Sequence, residues 1–213
     1  MNELAVEEVS LSLWKTGLSE EILLEAVLRG EAARDSVTAH APLGAAGYNA
    51  WQNAVTALRD LLVPKKWELK RDHNLETVVS PCGRHEILVV AGDRYTGSTD
   101  PRATPQPKRP RGEATEFAAD RSQLSLDLGN ALMAKRRNSQ GPVLWMLLIH
   151  RVKGSIELRT EISLPGHLTD TGYVATWHHR HVLDITHLGP QPEPMKKGDN
   201  EPSESTVEVK RKS

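Results

Sequence analysis

The run from Pro142 to Asp184 limits the choice of fold more than any other part of the chain. Val143 to His150 reads Val-Leu-Trp-Met-Leu-Leu-Ile-His and is apolar at both parities. Such a strand belongs inside a sheet, with both faces covered. Lys153-Gly154 then supplies a tight turn of the kind that closes hairpins. From Ser155 to Leu164 the pattern alternates. Ile156, Leu158, Thr160, Ile162 and Leu164 share one face, and Glu157, Arg159 and Glu161 share the other. That charged face reads as a solvated ion-pair row. Tyr173 to Ile185 alternates again, and its inward parity holds His179 and His181. Consecutive strands with short joints predict an antiparallel sheet.

The chain before this run is mostly helical in pattern. Val9, Leu11 and Leu13 alternate with Ser10 and Ser12, which favours a short strand within residues 1–18 over the helix that Leu4, Glu7 and Glu8 suit. Ser19 is suited to cap a helix whose first turn holds Glu20 and Glu21, at the positive end of the helix dipole. Leu23, Leu24, Val27 and Leu28 form its apolar stripe, and Gly30 is expected as its C-terminal cap, the alternative being that Glu31 to Thr38 extend or restart the helix. Tyr48, Trp51, Val55, Leu58 and Leu62 recur at helical spacing and predict a core helix ended by Pro64. Trp67–Val79 and His85–Ala91 read as a hairpin joined by Ser80-Pro81-Cys82-Gly83. Glu113 to about Lys135 reads as another helix, with Phe117, Leu124, Leu128 and Leu132 on its stripe. The expected fold is α+β, a mainly antiparallel sheet of about five strands with helices packed on it. Residues 1–190 form one domain in this reading. Residues 191–213, rich in Pro, Glu, Lys and Ser, are expected to be disordered.

Charge and cysteine content narrow the function classes. Lys plus Arg number 27 and Asp plus Glu 28, a net charge of −1. That excludes a uniformly basic nucleic-acid coat and leaves room for a local patch. The single Cys82 forms no internal disulfide and has no ligand spacing for zinc around it. The longest apolar run is too short to cross a bilayer. Glu3, Glu7 and Glu8 give the N-terminus the wrong sign for a secretory signal. A cytoplasmic, non-membrane protein is the expectation.

Positive charge concentrates in residues 92–112. Arg94, Arg102, Lys108, Arg109 and Arg111 stand among Pro101, Pro105, Pro107 and Pro110. A loop this long inside a domain is commonly functional. Prolines keep it extended, and its arginines, facing outward, are candidates to lie along phosphates. Its Pro110-Arg111-Gly112 core is similar to part of an AT-hook, without the following Arg-Pro. Further on, Gln123-Leu124-Ser125-Leu126-Asp127-Leu128 resembles the hexapeptide by which many bacterial replication and repair proteins dock on the sliding clamp. The resemblance implies that Gln123 hydrogen-bonds in one subsite while Leu124, Leu126 and Leu128 enter apolar pockets. The same leucines at helical spacing also suit a core stripe.

The histidines offer a different chemistry. His179 and His181, two apart on a strand, could grip one divalent metal ion, with His150 or Asp184 completing the set. An open coordination position would then support hydrolysis. No HExxH or comparable spacing accompanies them. The preferred reading is a non-enzymatic binding module without a cofactor, contacting nucleic acid or a replication-associated partner through the basic loop, with Gln123 to Leu128 as the tether to a sliding clamp. The alternatives are a metal-dependent hydrolase or nuclease built on the histidines, and an assembly subunit with no nucleic-acid role. Oligomeric state is not legible.

Overall fold

The computed structural model describes residues 3–72, 75–127, 141–155 and 157–185. Three helices come first: α1 (Glu3–Trp14), α2 (Glu20–Asp35) and α3 (Ala45–Leu62), the last followed by a 3₁₀ turn at Val63–Lys65. Strands β1 (Glu68–Asp72), β2 (Leu75–Val79) and β3 (His85–Ala91) follow, then α4 (Glu113–Asp127). Strands β4 (Val143–Arg151), β5 (Leu158–Pro165) and β6 (Trp177–Leu183) complete the α+β fold. The strands form a single six-stranded sheet in chain order. The expected Trp67–Val79 strand is two strands that pair with each other, Glu68 opposite Val79 and Asp72 opposite Leu75, which raises the count from about five to six.

Every neighbouring pair is antiparallel except β3 and β4, which run parallel from His85 opposite Val143 to Ala91 opposite Ile149. Parallel neighbours need a crossover long enough to return the chain to its starting end. Of that crossover, the described residues 92–112 and helix α4 lie over one face of the sheet. Helices α1–α3 cover the other. The first face carries Val143, Trp145 and Leu147 of β4 with Ile87, Val89, Ile162 and Leu164, packed on Leu13, Leu23, Val27 and Leu58. The second carries Leu144, Met146 and Leu148 with Leu88, Val90, Ala118 and Val174. Strand β4 is buried on both faces, as its sequence requires.

Several local expectations are corrected. The N-terminal segment is a helix, not a strand. Val6, Ser10 and Leu13 are the positions it buries, a 4–3 spacing hidden because its middle member is a serine. In α3 the stripe is shifted: Tyr48 is exposed, whereas Ala50, Ala54 and Ala57 are buried beside Val55, Leu58 and Leu62. In α4 Phe117 is exposed and the buried face is Thr115, Ala118 and Ala119. The strand expected from Tyr173 starts only at Trp177. Leu132 and residues 191–213 lie outside the described residues.

Gly30 does not cap α2. The helix continues to Asp35, and Gly30 is where α2 and α3 touch. A Cβ there would stand 2.6 Å from the Ala50 carbonyl oxygen and 2.9 Å from Ala54 Cβ. Gly30→Ala is therefore expected to destabilise the protein by about 1–3 kcal/mol through overpacking, although alanine is the better helix former. Urea unfolding measures it; a variant at least as stable as the natural chain would contradict this contact.

Candidate functional site

The second face of the sheet is where the crossover begins as a strap, residues 92–112, and the strap is fastened rather than free. At its start, Gly92 donates from its amide to the Ile149 carbonyl (2.8 Å) and Asp93 to that of Gln106 (2.9 Å). Lys108 N–H returns to the Ala91 carbonyl at 2.7 Å. The Gln106 side-chain amide donates to Val174 O and accepts from Val174 N, both at 2.9 Å. Trp177 Nε1 donates to the Pro105 carbonyl at 2.9 Å. Gln106 and Trp177 thus do for the strap what a backbone ladder does for a strand.

A buried ion pair holds the strap's middle. Glu161 is wholly buried and faces Arg180 on the neighbouring strand, Nη2 to Oε2 at 2.6 Å and Nε to Oε1 at 3.1 Å. The carboxylate also accepts from Ser163 Oγ (2.7 Å) and from the Gly97 amide (2.8 Å). Arg180 donates in addition to the carbonyls of Ala103 (3.0 Å) and Ser98 (3.1 Å). This corrects the reading of Glu157, Arg159 and Glu161 as one solvated row. Arg159 pairs with Glu157 alone, and Glu161 belongs to the interior because the strap covers it. Charge buried in this way is tolerated only when hydrogen bonds complete it. Among the residues that sequence reasoning missed, Glu161 and Arg180 matter most. A signal existed: β4 is apolar at both parities, so something had to cover the second face, and only residues 92–142 remained.

The five cations of the strap do not behave alike. Arg102 pairs with Asp100 at 3.3 Å on the surface, and that hydrogen bond holds the Asp100 carboxyl below the usual carboxylate range. Arg94 is exposed and lies over the Tyr95 ring, 4.8 Å from its centroid. Lys108 and Arg109 are exposed. Arg111 does not face outward. Its amide donates to the Gly172 carbonyl at 2.7 Å, and the residue lines a cavity of about 650 Å³ together with Leu75, Glu113, Ala114, Thr115 and Phe117. Desolvation pushes its pKa down. Arg111 Nε is buried with no hydrogen-bond partner. The expectation of an extended arm with all arginines outward is corrected to this extent, and Pro105 and Pro107 are buried.

The histidines are not brought together. His179 and His181 lie on the first face, under α1; His150 lies on the second, where Nδ1 bonds the Gly92 carbonyl at 3.2 Å. Asp184 is exposed beyond the end of β6. Among the described residues no three His, Cys, Asp or Glu side chains are grouped to hold a metal ion. His179 Nε2 instead meets Ser10 Oγ at 3.1 Å, and His181 Nε2 meets Glu20 Oε1 at 2.7 Å. Gln123, Leu124 and Leu126 fall within the α4 helix; Leu128 lies outside the described residues.

A third histidine, unremarked in the sequence, completes the seam under α1. Trp145 Nε1 donates to His85 Nδ1 at 3.3 Å. His85 Nε2 meets Ser12 Oγ at 2.9 Å, and that hydroxyl donates to the Val9 carbonyl at 2.8 Å. With Nδ1 an acceptor and the hydroxyl proton already committed, the chain of donors requires neutral imidazole with its proton on Nε2. Burial, then the nearby Arg84 charge, lowers the His85 pKa to about 4. Burial and the neighbouring His181 lower that of His179.

Compared with known proteins, the chain matches no family model, no curated protein and no solved structure. The geometry just described therefore carries the functional reading.

Two outcomes are expected. Glu161→Gln leaves the partly buried Arg180 charge without its counter-ion and should cost roughly 2–4 kcal/mol, somewhat less than for a fully buried charge, read by urea unfolding; limited proteolysis should also open the 97–103 stretch. Unchanged stability and protection would contradict the lock. The second concerns pH. A histidine whose folded pKa lies below its unfolded value binds its proton more readily in the unfolded chain. Stability from His85 is thus complete above about pH 6.5, falls as pH drops toward about 4 and is flat below that. The loss is about 3 kcal/mol. Unfolding midpoints measured between these pH values should slope in the natural chain and flatten in His85→Gln; equal slopes would contradict it.

Proposed function

We propose that this protein is a non-enzymatic binding module and that its strap, through Lys108 and Arg109, contacts the phosphate backbone of nucleic acid. The observation that supports this reading is the pinning of the backbone on both sides of these two exposed cations. Lys108 N–H bonds the Ala91 carbonyl, and Arg111 N–H bonds the Gly172 carbonyl, both at 2.7 Å. Ordering entropy that a loose basic arm would lose on binding has already been lost on folding. Arg94 extends the same charge; Arg102, neutralised by Asp100, adds little. Nothing in this contact distribution reads base edges, so the expected mode is backbone-directed and sequence-tolerant.

Fluorescence anisotropy with labelled duplex and single-stranded probes tests it. Affinity should fall steeply between 50 and 200 mM salt, numbers typical of phosphate-driven binding. The double variant Lys108→Ala/Arg109→Ala should bind at least about tenfold more weakly and lower the log–log salt slope on duplex by about 2. Arg102→Ala should change little. Absence of binding to every probe at low salt, or a double variant that binds as the natural chain does, would overturn the reading.

A further inference from the structure

The cavity at the start of α4 holds the one strap cation that the preceding reading leaves unused. Its wall has three chemical parts. Arg111 supplies a guanidinium whose Nε is buried without a hydrogen-bond partner. Burial disfavours its charged form. A desolvated arginine is costly unless something completes it, and a two-pronged oxyanion is what its planar fork fits. Leu75 and Ala114 supply apolar wall, with Phe117 at the rim, 68% exposed. Glu113, exposed beside the opening, supplies an acceptor.

The backbone of Arg111 is held in place. Gly172 has a positive φ of 77°, and a Cβ on it would meet the Arg111 carbonyl oxygen at 2.3 Å and the Arg111 amide nitrogen at 2.9 Å. Only glycine allows that approach, which lets the Gly172 carbonyl accept from the Arg111 amide. Arg111 is thus presented to the cavity from a rigid anchor, as a preorganised site requires.

We infer that this cavity is a binding site for a phosphate monoester borne on a flat apolar body, a nucleotide 5′-phosphate. One guanidinium selects for one anionic group. Glu113 repels a second anion and instead accepts a hydrogen bond from a ligand hydroxyl or amino group. The apolar wall takes the base, and about 650 Å³ lies within the range of pockets that enclose molecules of this size. The phosphate would sit on Arg111 and beside the amides of Glu113 and Ala114, the next two amides of α4, of Thr115 and Glu116, being bonded to the Gly112 carbonyl. The inference does not rest on the strap binding nucleic acid, since a chain that binds no duplex would still bind a nucleotide here.

Calorimetric titration of the full chain tests it with three separate probes: a purine nucleoside 5′-monophosphate, the matching nucleoside and inorganic phosphate. The monophosphate should bind at least about tenfold more tightly than either half. Arg111→Ala should weaken it at least about tenfold, and Arg111→Lys, which keeps the charge and loses the fork, should fall between. A thermal melt checks each variant's fold, and Arg111→Lys carries the test if Arg111→Ala does not fold. Single-stranded probes with a 5′-phosphate or a 5′-hydroxyl then separate the two sources. Preference for the phosphorylated end assigns the site to strand ends; equal binding of both assigns it to free nucleotide. No heat from the monophosphate at millimolar concentration, either half binding as tightly as the whole, or both Arg111 variants binding like the natural chain, would overturn the inference.

Discussion

The parallel pairing of β3 with β4 is the constraint on which the rest of the molecule depends. Both strands are buried, and β4 is apolar on each face, so the sheet needs two layers of cover. Helices α1–α3 provide one. The second must come from the chain that joins the parallel pair, because a crossover has to traverse the sheet to bring β4 in beside β3. The strap and α4 are thus required by the sheet before they can serve any partner.

Covering a sheet with irregular chain creates a difficulty that the side chains resolve. A loop against an apolar face carries backbone polar groups that water no longer reaches. Here Gln106, Trp177, Glu161 and Arg180 meet those groups one by one. The Glu161–Arg180 pair is the most demanding of these, since either charge alone would be strongly unfavourable in that place. Their mutual hydrogen bonds and those to Gly97, Ser98 and Ala103 make a charged interior serve as a fastener. A consequence for function is that the strap's exposed cations are displayed from a fixed backbone. The opposite face works differently. There α1 is seated on hydroxyls and on His85 and His179, whose charged forms burial disfavours, a seam whose stability follows pH.

Much of the fold was legible because periodicity reports burial directly. The β4 run, the Ser80–Gly83 turn and the core stripe of α3 near Val55 and Leu58 all stand where the pattern puts them. Where the pattern misled, small residues were responsible. Ser10 in α1, Gly30 in α2 and Ala118 in α4 bury positions that hydrophobicity does not mark, since close helix packing selects small side chains there. The candidate site was less legible. Arg111 was counted with the other cations of the strap because sequence gives its charge and not its direction. His150 was grouped with His179 and His181 because the parity of one strand says nothing of a strand two places along the sheet until the register is known.

By itself, the amino-acid sequence determined the α+β class, the doubly buried central strand, the position of the basic proline-rich segment and the near-neutral charge that confines any anion contact to a patch. These follow from local spacing and composition, which are properties of the chain alone. Tertiary structure decided which cations are presented and which is turned inward, that Glu161 meets Arg180 and not Arg159, and that the histidines fall on opposite faces. Each of those depends on the register between strands and on which segment covers which face, and both arise from contacts between residues far apart in the chain.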